Sequence, residues 1–304
     1  TTPRQRYEDC TGVVVYEDTD SCYVNAEPLL RKLYPDFDTM EETTKSDKLE
    51  EMSLEYEKKI NEYYNYLALD AFNIPVDKHR LEMKTECTIR SAFFSGKRRY
   101  AQYITKKEGV PCDEIDVKGL DFKKSNFPPL FRTFFEGILH KILFGETREN
   151  IDKEILSFKE SLKDMDFVKI SKPTGVKNIK KYVGRPASAD CIFSEFENKA
   201  PVGVKAAVRY NDLLKFKNLD KKHTQIVEGD KIKWVYLKDN PYKIDTMGFL
   251  DFDLPNPIRK FIENYVDIPR SFDTILKNKL ESFYEDLGWG KLTLNTYTQR
   301  FFNF

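Results

Sequence analysis

The chain has 304 residues, 50 basic and 50 acidic, with no formal net charge; this suits about two domains and excludes a histone-like attraction to nucleic acid, though not local basic patches. Five scattered cysteines with no CxxC pair argue against a zinc ribbon or a disulfide scaffold and suit a reducing compartment. No apolar stretch approaches the ~20 residues that span a bilayer, and no secretory leader is visible, so a cytoplasmic protein without a membrane partner is expected.

The stretch VVVYEDTDSCYV reads as a hairpin: residues 13–15 as a buried strand, residues 22–24 as a second, and a turn between them. That turn carries Glu17, Asp18 and Asp20, three carboxylates in four positions. Their mutual repulsion is unfavourable unless cations or water relieve it. Strand alternation points Asp18 and Asp20 to one side. Hard oxygens so spaced suit Mg²⁺, which keeps waters and substrate phosphates as further ligands. Pairs of such ions serve polymerases and nucleases. A calcium loop is excluded, because Cys22 and Tyr23 stand at its fifth and sixth positions. A phosphatase Asp-x-Asp and a plain solvated turn stay open.

Residues 46–72 form a helix on the spacing of Leu49, Met52, Tyr56, Ile60, Tyr63 and Leu67, a stripe expected to pack on a sheet. Several short strands follow, and between residues 76 and 110 nine basic residues face four acidic ones. Lys97, Arg98 and Arg99 are consecutive, so they fan out from a strand and can grip regularly spaced phosphates. Tyr100 adds a flat face and a hydroxyl. Glu86 precedes the apolar run that leads to this triplet. Gly119 and the pair Pro128-Pro129 mark a boundary. Two helical segments come next, then VKISKPTGVKNIKKYVGR with six basic residues and no acidic one, then mixed helix and strand. The fold class expected is α+β.

Taken together, YEDTDS, GKRRYA and VKGLDFKKSN resemble the YxDTDS, KKRYA and KG-containing motifs of family B DNA polymerases, in their C-terminal part. The thumb-like stretches and aromatic tail are most similar to T-even-type tailed-phage replicative enzymes. The resemblance covers essentially the whole chain. It implies the C-terminal half of a palm over residues 1–118, an antiparallel sheet with packed helices. A mainly helical thumb would follow over residues 119–290 and a tail over 291–304. The implied activity is DNA-directed DNA synthesis by two-metal phosphoryl transfer, in the cytoplasm of a host cell if phage-encoded. Asp20 would ligate two Mg²⁺ ions, Asp18 would stand beside it, and Glu86 would tune the metal environment. Lys97, Arg98 and Tyr100 would grip primer–template DNA. Lys118 and Gly119 match the start of the thumb, and Lys123 and Lys124 lie near it.

Three departures matter. Glu17 stands where the family has a small or neutral residue. Arg98 replaces a lysine, which keeps the charge but changes phosphate geometry. The exonuclease domain, the fingers with their dNTP clamp and the first palm aspartate have no counterpart. An N-terminal polymerase part or subunit is therefore an expected partner. The alternative is a non-catalytic DNA- and clamp-binding fragment of a broken or processed gene.

Three of the last four residues, Phe301, Phe302 and Phe304, are phenylalanine. Each buried aromatic is worth roughly 1.5–3 kcal/mol, so the tail either folds back or docks on a partner. The resemblance implies a sliding clamp.

Overall fold

The structure is a computed structural model that describes residues 13–188, 190–292 and 294. The chain divides into two units, Thr1–Gly119 and Leu120–Phe304, each mixing helices with antiparallel strands. The break lies one residue beyond the boundary read from the sequence.

In the first unit, β1 (Val14–Asp18) pairs with β2 (Ser21–Val24), Asp18 opposite Ser21. Thr19 reverses the chain at φ 55°, and the Asp20 amide donates to the Asp18 carbonyl at 2.7 Å, the i→i+2 bond of a γ-turn. The hairpin is not the buried strand pair expected. Val13, Val14 and Val15 are 42%, 42% and 47% exposed. The hairpin packs through Tyr16 and Tyr23, and no second layer among the described residues covers the valines.

Two helices follow, α1 (Glu27–Leu33) and, after a 3₁₀ turn at Phe37–Thr39, the long α2 (Glu42–Phe72). No Gly or Pro interrupts α2, and Asn73 ends it in the left-handed conformation that Asn tolerates. Then β3 (Cys87–Gly96), β4 (Arg99–Lys107) and β5 (Val110–Lys118) form an antiparallel sheet in that order. Polar contacts dock α2. Ser46 Oγ lies 2.8 Å from Thr105 Oγ1 and 3.3 Å from Thr88 Oγ1, and Lys106 pairs with Asp47 and Glu50. Asn61 bonds both the carbonyl and the amide of Met83. These bonds set the rotation of the helix, so the expected apolar stripe is only partly covered, with Tyr56 45% and Tyr63 57% exposed. Among the described residues of this unit, the buried apolar side chains are Ala26, Leu30, Ala68, Phe93, Ala101 and Ile104. That is a thin core.

The second unit is mainly helical and well filled. After a 3₁₀ turn at Asp121–Lys123 come α3 (Pro129–Leu143), α4 (Arg148–Ser161) and α5 (Phe167–Ile170). Then follow β6 (Lys172–Gly175), α6 (Ile179–Tyr182), β7 (Val183–Arg185), β8 (Glu195–Phe196) and α7 (Val202–Phe216). The strands β9 (Lys231–Tyr236) and β10 (Thr246–Phe249) complete a sheet of order β10-β9-β6. Helix α7 lies so close on β10 that a Cβ on Gly248 would stand 2.9 Å from the Ala206 carbonyl. The unit closes with α8 (Asn256–Tyr265), then α9 (Ile268–Ser271), which runs through a π-helical segment, Phe272–Lys277, into α10 (Asn278–Asp286). Among the described residues no helix is long and apolar enough to cross a membrane.

Candidate active site at the first hairpin

Cross-strand register builds the site. Tyr16 sits opposite Tyr23 in the hairpin, and Phe94 opposite Tyr100 in the sheet. The four rings interlock: Tyr16 stacks on Phe94 at 5.0 Å, and Tyr23 meets Phe94 edge-on at 5.3 Å. Tyr100 lies 5.8 Å from Tyr16 and from Phe94, and 5.7 Å from Tyr23. Aromatic pairs of this kind contribute about 0.5–1.5 kcal/mol beyond their buried area. They fasten a hairpin that has little other cover.

Arg98 turns the chain between β3 and β4 at φ 57°, a strained conformation for a non-glycine residue. Three contacts hold it there. Its amide donates to the Tyr16 hydroxyl at 2.7 Å. Its guanidinium Nε reaches Asp18 Oδ2 at 3.1 Å. Its carbonyl lies against Gly119 (φ 64°), where a Cβ would stand 2.0 Å from the Arg98 oxygen. Three separate stretches of sequence, YEDTDS, GKRRYA and VKGLD, therefore meet at one residue.

The electrostatics follow. Hydrogen bonds from Arg98 hold the Asp18 carboxyl below its ordinary range, against an opposing desolvation, and the Arg98 and Lys97 charges add to the effect. Burial, then the Tyr100 hydroxyl, pushes the Tyr23 hydroxyl up, so it stays neutral. Beside the turn lies an open cleft of about 460 Å³ lined by Asp18, Asp20, Tyr64, Met83, Lys97 and Arg98. Asp20 is exposed, and among the described residues no hydrogen bond or ion pair engages its side chain, whereas Asp18 already carries a cation. Among the described residues no group of three or more His, Cys, Asp or Glu side chains converges on a metal-sized point. The turn thus offers a pair of hard carboxylate donors, one occupied by a guanidinium that stands in for a cation. Two carboxylates are fewer hard donors than a Mg²⁺ ion takes, so water, substrate or a further chain would have to complete such a set.

The other residues singled out from the sequence fall in different places. Lys97 and Arg99 are exposed on the turn beside Arg98. Lys118 sits opposite Tyr100, its Nζ 3.6 Å from Asp116. Glu86 directly precedes β3, its carbonyl accepting the Glu108 amide at 2.8 Å, and Met83, three residues before it, lines the cleft with Asp18 and Asp20. In the second unit Lys123 pairs with Glu136 at 3.0 Å and Lys124 with Asp121 at 2.6 Å. Phe301, Phe302 and Phe304 lie outside the described residues. Sequence reasoning passed over Tyr16, Tyr23 and Phe94 as contributors. The hairpin register, which sets Tyr16 opposite Tyr23 two positions before Asp18, was the available signal.

No protein-family model matches the chain, and no curated protein matches it.

Proposed function

We propose that the chain is the C-terminal part, or a split subunit, of a family B DNA-directed DNA polymerase, its first unit half of the palm and its second the thumb. The observation that carries this reading is the meeting of the three polymerase-like motifs at Arg98, across 82 residues of chain from Tyr16. Motif matches that were coincidental would have no reason to touch.

In this reading Asp20 and Asp18 hold part of the Mg²⁺ set, and the first palm aspartate of an N-terminal partner completes it. Bound Mg²⁺ would supply charge stabilisation and lower the pKa of the primer 3′-hydroxyl that attacks the dNTP. The chain's own work is positional. The aromatic cluster fixes the hairpin, and Asp20 presents a free carboxylate to the cleft. Lys97 and Arg99 project as cations toward a phosphate backbone, and Tyr100 braces the turn. Glu86 would tune the metal environment, as the resemblance implies. The need for a partner draws independent support from the thin core and from the exposed faces of the hairpin and α2. The tail, residues 291–304, is assigned to sliding-clamp binding by resemblance.

The rival is a non-catalytic DNA- and clamp-binding fragment of a broken or processed polymerase gene. Co-expression with an N-terminal polymerase part, followed by primer extension, separates the two. The reconstituted enzyme should extend primers in Mg²⁺. Asp20→Ala should abolish extension while leaving primer–template affinity within a few-fold, because phosphate contacts elsewhere carry binding. Extension by the mutant at near the parent rate would sink the catalytic reading.

A further inference from the structure

The Arg98 guanidinium is doubly placed. It sits on the same turn as Lys97 and Arg99, the cations that the polymerase reading assigns to the DNA backbone, yet it lies on Asp18. Its backbone is locked by Tyr16 and Gly119. Its side chain is 68% exposed. Its contacts to the carboxylate are long, at 3.1, 3.4 and 3.4 Å. An exposed ion pair of this kind is weak. A phosphate offers the planar guanidinium a bidentate, charge-assisted partner and releases counterions as it binds.

We propose that Arg98 is an exchangeable clamp, resting on Asp18 in the free protein and transferring to a backbone phosphate when a nucleic-acid duplex binds, so that duplex binding uncovers Asp18. The inference rests on the duplex-binding part of the polymerase reading and adds a coupling to it. The exchange is reciprocal. Whatever neutralises or engages Asp18 frees Arg98 for the duplex. Lys97 stays on the same turn throughout, so the cleft keeps one cation in either state. Arg98 acts here as a positioning residue for Asp18.

The test is a double-mutant cycle on duplex affinity, read by anisotropy of a labelled primer–template at low salt with EDTA present, using the full chain. Asp18→Asn removes the resting partner. Arg98→Asn removes the guanidinium while keeping a residue that tolerates the left-handed turn. Arg98→Lys provides a second background that keeps the charge without the planar fork. Asp20→Asn removes the same charge from the same turn without touching Arg98. Melting curves identify the background that stays folded, and the cycle is read there.

Asp18→Asn should tighten duplex binding more in the Arg98 protein than in either background, by about two- to five-fold, the size set by an exposed ion pair. Asp20→Asn should have the same effect in every background. Equal effects of Asp18→Asn throughout would overturn the exchange while leaving the duplex reading intact. An absence of duplex binding by the parent and every variant would overturn both.

Discussion

Gly119→Ala is the sharpest perturbation available at the hairpin site. Gly119 has φ 64°, and its Cβ would stand 2.0 Å from the Arg98 oxygen and 3.1 Å from the Arg98 carbonyl carbon. Neither is the far end of a flexible side chain, so the backbone itself must move. The left-handed conformation costs an alanine about 1–2 kcal/mol. Overpacking of the tight contact adds roughly 1–3 kcal/mol. The movement must also disturb the Arg98 amide bond to Tyr16 and with it the seat of the hairpin. A loss of about 2–5 kcal/mol is large beside the ~5–15 kcal/mol of a whole domain, and the first unit has little core to absorb it. Gly145→Ala is the control. It too has a left-handed φ, 82°, but nothing lies within 4 Å of its Cβ position, so only the conformational cost of about 1–2 kcal/mol applies. The measurements are thermal melting and amide exchange at Arg98, β1 and β2. Gly119→Ala should melt lower than Gly145→Ala and expose the Arg98 amide to exchange. Equal small shifts with the Arg98 amide still protected would refute the convergence of three motifs on this turn.

Lys97→Ala and Arg99→Ala should each weaken duplex binding regardless of sequence and flatten its log–log salt dependence by roughly 0.9 per lost phosphate contact; an unchanged slope would mean that the side chain faces solvent. Gly248→Ala should lower the melting temperature of the second unit, by about 1–3 kcal/mol in stability, since a Cβ there meets Ala206 backbone at 2.9 Å. Lys124, then Lys279, hold the Asp121 carboxyl down at about 2. With the folded pKa depressed, the stability these pairs contribute is present above the ordinary value of 3.8 and is lost as the pH falls toward 2. Parent and Asp121→Asn should therefore differ in melting temperature at pH 6 and converge near pH 2, and a gap that persists in acid would contradict the pairing.

The carboxylates of the turn were legible because turn chemistry is local: Asp18, Thr19 and Asp20 lie within three residues, although Thr19 reverses the chain between the two aspartates, so strand alternation does not set their sides. Tyr16 was not legible as a contributor, because its partner Arg98 is 82 positions away and nothing in a tyrosine announces which amide it will accept. Gly119 carried a signal, a breaker after a strand, but its reason is the Arg98 carbonyl pressed against it. The valines show the limit of pattern reading. A β-branched run says that a strand wants cover, not that the same chain supplies it. Likewise the stripe of α2 has the right period, yet Ser46, Asp47 and Asn61 decide which face docks, because satisfied polar groups outweigh a modest apolar stripe on so small a sheet. Glu86 was placed by resemblance alone.

The thin core of the first unit changes what a melting temperature of this chain would report. A polypeptide that covers Val13–Val15, Tyr56 and Tyr63 binds the folded form and not the unfolded one. By mass action the apparent stability then rises with the logarithm of the partner's free concentration, by ~2.7 kcal/mol at a hundredfold excess over its dissociation constant. Midpoints would slide upward along a titration of the partner while those of the well-filled second unit stay put. The first unit and such a partner would share one folding equilibrium, and dilution alone would loosen the hairpin that carries Asp18 and Asp20.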